Sequence, residues 1–146
     1  MRQDDRPARP FSVDVPLVIA AGGALGAVAR YGLSVALPAG DGSFPWATFW
    51  TNVAGCLAIG GLMVLVTEGR PHRLARPFVG VGVLGGFTTF STYSVDAVRL
   101  VESGSAGTAL VYTFGTLAAA LVAVEVGMAT TRWASRARRT RKDGRR

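Results

Sequence analysis

Charge is missing from most of this sequence. Residues 42–67 carry none, nor do 77–95 or 103–124, and residues 15–37 carry only Arg30. A water-soluble domain needs polar surface along every helix, so that class is excluded. The opposite signal excludes disorder: 49% of the chain is hydrophobic and 17% charged, with a mean hydropathy of +0.33. Cysteine is nearly absent. The single Cys56 cannot form an intrachain disulfide and reads as a small buried residue. There is one histidine, no carboxylate pair inside the apolar runs, and no phosphate-loop or dinucleotide fingerprint, so the chain lacks the equipment of an enzyme.

The sequence is rich instead in long apolar runs. A membrane-spanning helix needs about 20 mainly apolar residues. Four segments of the 146 residues qualify, roughly 15–37, 45–67, 76–101 and 106–131. This predicts an all-α membrane domain over 15–131, preceded by an N-terminal arm (1–14) and followed by a basic tail (132–146). The connections are short. Pro38 to Pro45 is turn-rich, Glu68-Gly69-Arg70-Pro71-His72-Arg73 opens the second loop, and Glu102-Ser103-Gly104-Ser105 forms the third, where a serine is placed to cap the fourth helix. His72, in this basic loop, reads as solvated. The first run ends in Ala27-Val28-Ala29, a pattern also found at signal-peptide cleavage sites. The helical pattern continues through Tyr31 to Leu37 and three more spans follow, which favours a retained span.

The formal net charge is +7 and the sequence pI about 11.0. Such a balance often signals nucleic acid. Here the basic residues flank apolar spans, so a membrane explains them first. Four crossings put both termini and the middle loop on one side. That side carries Arg2, Arg6 and Arg9, then Arg70, Arg73 and Arg76, then eight basic residues after Thr131. The count is 14 against Arg99 alone on the other side, so the positive-inside rule predicts cytoplasmic termini in a multi-pass cell-membrane protein. The tail reads as an anchor beside anionic lipid, with no nucleic-acid partner.

Small residues recur at helical spacing: Gly22 with Gly26, Gly82 with Gly86, and the row Ala47, Thr51, Gly55. Such rows let helix backbones approach closely in lipid. One small four-helix bundle leaves little wall for an enclosed pore, which favours a dimer or larger assembly. The third span differs from the rest. Gly85-Gly86 is followed by five serine and threonine hydroxyls between Thr88 and Ser94. Glycine and threonine weaken a helix locally. Two readings stand open. In one, the span breaks, which at membrane depth requires partners for the freed backbone groups. In the other, the helix continues and its threonines bond back to their own turn.

Gly85-Gly86-Phe87-Thr88-Thr89-Phe90-Ser91-Thr92-Tyr93-Ser94 resembles the signature of the Fluc (CrcB) fluoride channels. Gly23-Ala24-Leu25-Gly26-Ala27-Val28-Ala29-Arg30-Tyr31 resembles the family's first-span motif, and Thr48 to Cys56, around Asn52, its second-span motif. Tyr112 and Thr116 fit the fourth-span pattern. The resemblance covers roughly residues 15–130, and the third-span decamer is its specific part. It implies a fluoride-selective channel through which cytoplasmic F⁻ leaves passively, lowering fluoride toxicity. It implies four transmembrane helices, the third broken near the membrane midplane, in an antiparallel, dual-topology dimer. It also implies a structural Na⁺ at the dimer interface, held by the backbone carbonyls of Gly85 and Thr88.

By the same resemblance, the fluoride pathway falls on Asn52, Phe90, Tyr93, Thr116 and Tyr112, with Arg30 near the vestibule. Asn52 would offer amide N–H groups to the ion; an asparagine in a span otherwise bonds helix to helix. An aromatic ring has a positive edge that an anion can approach, which suits Phe90 and Tyr93. Tyr93 stands where the family commonly has phenylalanine, and its hydroxyl has the ion or a neighbour as partner. Ala120 stands where another hydroxyl is common, so the polar track is shorter. Arg30 should face water or a partner. Asp96 reads as a helix-end or interface group, and Glu125 matches no motif. The charge asymmetry adds a choice of partner: a homodimer, or a heterodimer with a homologous, oppositely oriented subunit. The rival function is a small proton-coupled drug or cation exporter, for which Glu125 is the one carboxylate deep in a span.

Overall fold

The computed structural model describes residues 13–68 and 73–143. Arg2, Arg6, Arg9, Arg70, His72 and the end of the tail (144–146) lie outside the described residues. Within them all regular structure is helical, with no strand. Helix α1 spans Asp14–Ala36 and α2 spans Trp46–Glu68. A π-helical segment, Arg76–Val83, leads into α3, Leu84–Phe87. Helix α4 spans Ser91–Glu102 and α5 spans Ala106–Asp143. Four stretches are long and apolar enough to cross a membrane: Asp14–Ala36, Trp46–Glu68, Arg76–Glu102 and Ala106–Ala137.

The first three fall within a residue of the expected bounds. The fourth begins at Ala106 as expected, and its helix runs on past the expected span. Helix α5 does not end at Thr131 but continues to Asp143, so most of the expected tail is helical. The reason is local: no Gly or Pro stands between Gly127 and Gly144, and alanine, arginine and lysine there favour helix. Turn chemistry sets the other ends. Helix α1 stops just before Pro38, whose ring disfavours helix in the residue ahead of it. Gly104, at φ 76°, closes α4. Ser105 N–H donates to Leu100 C=O at 2.9 Å and Gly104 N–H to Val101 C=O at 3.0 Å, the paired bonds of a Schellman ending. The Ser105 carbonyl then accepts from Ala109 N–H at 3.0 Å, which starts α5.

Two helix pairs hold the bundle together. Helix α1 lies against the π-helical segment and α3, and α2 lies against α5. Both pairings need glycine. A Cβ on Gly22 would stand 2.5 Å from the Phe78 carbonyl oxygen, and one on Gly26 would overlap Val83 O. A Cβ on Gly60 would overlap Val124 O, and one on Gly127 would overlap Leu57 O. Leu17, Leu25, Leu110 and Leu121 remain exposed on the outer faces, as lipid-facing residues should. The buried core is small: Leu100, Ala109 and Tyr112, with Phe44 and Tyr93 packed on it.

Polar bonds fasten both ends. Thr48 Oγ1 donates to Asp96 Oδ2 at 2.7 Å, and Tyr112 O–H reaches the same oxygen at 3.5 Å. Asp96 is therefore not a helix-end group. It sits within α4 and ties α2 and α5 to it. At the other end Arg73 pairs with Asp14, and Arg132 Nε pairs with Glu68 Oε1 at 3.4 Å.

Candidate functional site

The backbone of the third span sets the site. Helical structure stops at Phe87 and resumes at Ser91, and Thr88 is extended at φ −72° and ψ 155°. Hydrogen bonds are rerouted there. Thr89 N–H, which in a continuous helix would reach Gly85 C=O, donates to Asn52 Oδ1 at 2.9 Å. Thr92 N–H, which would reach Thr88 C=O, bonds Thr89 Oγ1 at 3.1 Å. The carbonyls of Gly85 and Thr88 thereby lose their ordinary helical donors. Threonine back-bonding occurs beside this change of conformation rather than in place of it: Thr88 Oγ1 donates to Leu84 O at 2.9 Å.

Asn52 supplies the repair. Its Nδ2 donates to Thr89 C=O at 3.0 Å while its Oδ1 accepts from Thr89 N–H. One side chain satisfies both backbone polar groups of half-buried Thr89, which would be costly orphans in lipid. One amide hydrogen remains to face outward. Of the two sequence readings of Asn52, the bonding from helix to helix is the one these contacts show.

Beside this peptide lies a cavity of about 320 Å³. Its walls include Asn52 from α2, Thr88, Phe90 and Tyr93 from the third span, and Thr116 from α5. Four of the five expected pathway residues therefore share one wall. Thr116 is only 2% exposed, and its Oγ1 has no hydrogen-bond partner among the described residues. A buried hydroxyl without a partner is costly. Phe90 is 79% exposed and lies 5.8 Å from Tyr93, centroid to centroid. The Tyr93 hydroxyl takes the neighbour as partner, donating to Thr113 C=O at 2.8 Å, so the ring is what the cavity meets.

Tyr112 is not brought to this wall. It is fully buried behind it, 5.3 Å from the Tyr93 ring and 5.4 Å from Phe44. Arg30 is on a second cavity, also about 320 Å³, walled by Ser34, Thr48, Thr51 and Thr92. Its Nε donates to Gly86 C=O at 3.2 Å. Thr89 borders both cavities, so they flank the same interrupted turn. Gly85 faces open space; nothing lies within 4 Å of where its Cβ would be. Glu125 is exposed on α5, away from both cavities, with no ion pair among the described residues.

Three residues of this wall were not singled out in the sequence, Cys56 as a wall residue, Thr89 and Leu117. Spacing could have found Cys56, which follows Asn52 by four residues and so shares its helix face. No metal-binding group of His, Cys, Asp and Glu side chains occurs among the described residues.

The family described as CrcB-like protein, Camphor Resistance (CrcB) matches residues 17–128. A relative named fluoride-specific ion channel FluC 2, from Nocardia farcinica, is 54% identical over 136 residues, covering 91% of this chain and 97% of its own. Fluoride-specific ion channel FluC 1 of Streptomyces coelicolor is 52% identical over 123 residues, 84% of this chain and 77% of its own. Fluoride-specific ion channel FluC of Thermus thermophilus is 46% identical over 102 residues, 69% of this chain and 82% of its own. With the four membrane-length helices and a match across all of them, the chain belongs to the CrcB family of multi-pass membrane proteins.

Proposed function

We propose that this chain is a subunit of a fluoride-selective channel that lets cytoplasmic F⁻ leave passively down its electrochemical gradient. It is not an enzyme. The observation that carries the reading is the cavity in which Asn52, Phe90, Tyr93 and Thr116 meet, with the Thr116 hydroxyl buried and unpartnered among the described residues. F⁻ is small and strongly hydrated. It exchanges water for one amide hydrogen, one hydroxyl and the positive edges of two rings. No full positive charge lines this cavity, so no deep well traps the ion. HF enters cells as a neutral acid and dissociates inside, and a passive anion path suffices to release it. The exporter alternative needs a carboxylate in the transport cavity. This cavity has none, and Glu125 lies elsewhere.

The assembly in this reading is an antiparallel dimer with the third-span break near the membrane midplane. Three features support it. Phe90 is exposed, Gly85 is open, and a single subunit leaves the cavity without an outer wall. The Gly85 and Thr88 carbonyls fit a structural Na⁺ at the interface, because a hard cation takes oxygen ligands and these two have lost their helical donors. Na⁺ held there by two chains would satisfy both sets of carbonyls and join the subunits. The charge count, 14 against one, supports cytoplasmic termini and one orientation. A dimer of opposed subunits then favours a homologous partner of opposite orientation over a second copy. The test is growth. Expressed in bacteria lacking their own fluoride channel, with such a homologue where needed, the chain restores growth on fluoride. Failure of both the chain and the pair, with protein present in the membrane, overturns the reading.

A further inference from the structure

Helices α2 and α5 touch at Gly60 and Gly61 and leave a cleft one turn later. A Cβ on Gly61 would stand 2.9 Å from Thr131 Oγ1. Leu65 follows Gly61 by four residues and is exposed. It borders a space of about 390 Å³ whose other described walls are Thr130, Thr131, Ala134 and Ser135 of α5. The Thr130 hydroxyl is engaged by the Val126 and Gly127 carbonyls, at 2.7 and 3.2 Å. Those of Thr131 and Ser135 have no hydrogen-bond partner among the described residues. The cleft shares no wall residue with the Asn52–Thr116 cavity.

Sequence and helix register set its level and its charge. Trp133, on the same turn of α5, is exposed, and tryptophan favours the boundary between lipid and water. The helix continues past it. Arg138 and Lys142 follow Ala134 at successive steps of four residues, and Arg139 follows Ser135. The face that walls the cleft therefore carries on as a basic row. Glu68, the carboxylate at this end of α2, pairs with Arg132. Along α5 the cleft thus offers an apolar side chain, then two hydroxyls, then positive charge. An inorganic anion has no counterpart for Leu65. A phospholipid has all three counterparts in that order: acyl chain, phosphate oxygens, and net negative charge where the headgroup carries no ammonium.

We propose that this cleft binds one anionic phospholipid from the leaflet on the side of the termini. Its phosphate is received by the Thr131 and Ser135 hydroxyls below the basic row, and its acyl end lies along Leu65. The site goes beyond the ion path and does not depend on which ion the channel passes.

The experiment uses the full chain in detergent and reads retained lipid by native mass spectrometry. The probes are dioleoylphosphatidylglycerol and dioleoylphosphatidylcholine. The parent retains one phosphatidylglycerol at about tenfold lower lipid concentration than phosphatidylcholine, and the combined Arg138→Gln, Arg139→Gln, Lys142→Gln variant loses that preference. Ala134→Trp fills the cleft without changing the charge and weakens retention about tenfold, while Ala129→Trp, elsewhere on the exposed surface of α5, leaves it unchanged. If Ala134→Trp fails to fold, Thr131→Val with Ser135→Ala gives the second reading, a loss of about tenfold at constant charge. Full retention in these uncharged variants would mean that the basic row attracts lipid without the cleft, and overturns the proposal. Equal retention of the two lipids by the parent overturns it as well. Displacement of phosphatidylglycerol by inorganic phosphate at constant ionic strength overturns it in favour of a free anion. None of these outcomes bears on the channel reading, which fails only on its own growth test.

Discussion

At Thr116 the fold and the function make separable demands. Its hydroxyl bonds no described group although the residue is 2% exposed. Valine has the same shape without the donor. Thr116→Val should therefore leave the melting midpoint nearly unchanged, within about 0.5 kcal/mol of stability, while F⁻ efflux falls about tenfold. A large loss of stability would make the hydroxyl a structural group instead. Tyr93 is the complementary case. Its hydroxyl holds Thr113 C=O, and its ring faces the cavity. Tyr93→Phe removes that bond, lowers stability by about 1 kcal/mol in a thermal melt, and keeps efflux within a few-fold of the parent. A collapse of efflux would show that the ion uses the hydroxyl itself. These roles were only partly legible in the sequence. Phe90, Tyr93, Asn52 and Thr116 could be named from the motifs they occupy. That Asn52 spends both ends of its amide on the backbone of Thr89, that Tyr112 stands behind the wall and that Asp96 bridges helices all depend on side-chain direction, which spacing alone does not fix.

The helices themselves were legible because lipid leaves few choices. Uncharged runs of about 20 residues bounded by Pro, Gly and charge specify spans almost residue by residue. The end of α5 was not legible, because hydropathy reports where the membrane stops and not where the helix stops. Arginine, alanine and lysine continue a helix in water as well as in lipid. The pairing of elements was half visible. The glycine rows announced close approach, while which rows meet emerged only in three dimensions, Gly22 and Gly26 against the π-helical segment and α3; the approach of Gly60 to α5 lay outside those rows. Close approach yields a prediction at this scale. A leucine at Gly127 drives its Cβ into the Leu57 carbonyl, which is backbone and cannot swing aside. Gly127→Leu should separate α2 from α5, cost about 1–3 kcal/mol or more, and give protein that elutes as aggregate after detergent extraction. A variant that elutes and melts like the parent would contradict this packing.

The described bundle has a small core, apolar outer faces and, in its third span, carbonyls at Gly85 and Thr88 without their helical donors. One chain encloses neither cavity. The 14-to-one division of its basic residues between the loops and termini argues for a single orientation. Tags at both termini, probed with impermeant reagents in intact cells, should report cytoplasmic termini in essentially every copy of the chain expressed alone. A substantial inverted fraction would remove the reason to expect a distinct partner and point to a homodimer. The central claim is passive, selective movement of F⁻ through the Asn52–Thr116 cavity. It is tested most directly by efflux from liposomes loaded with potassium fluoride or potassium chloride and followed with ion electrodes. The liposomes would contain this chain alone or together with an oppositely oriented homologue. The account predicts rapid F⁻ efflux in at least one preparation, no matching chloride efflux, and loss of the F⁻ signal in Thr116→Val. Equal fluoride and chloride rates, or silence in both preparations, would contradict it.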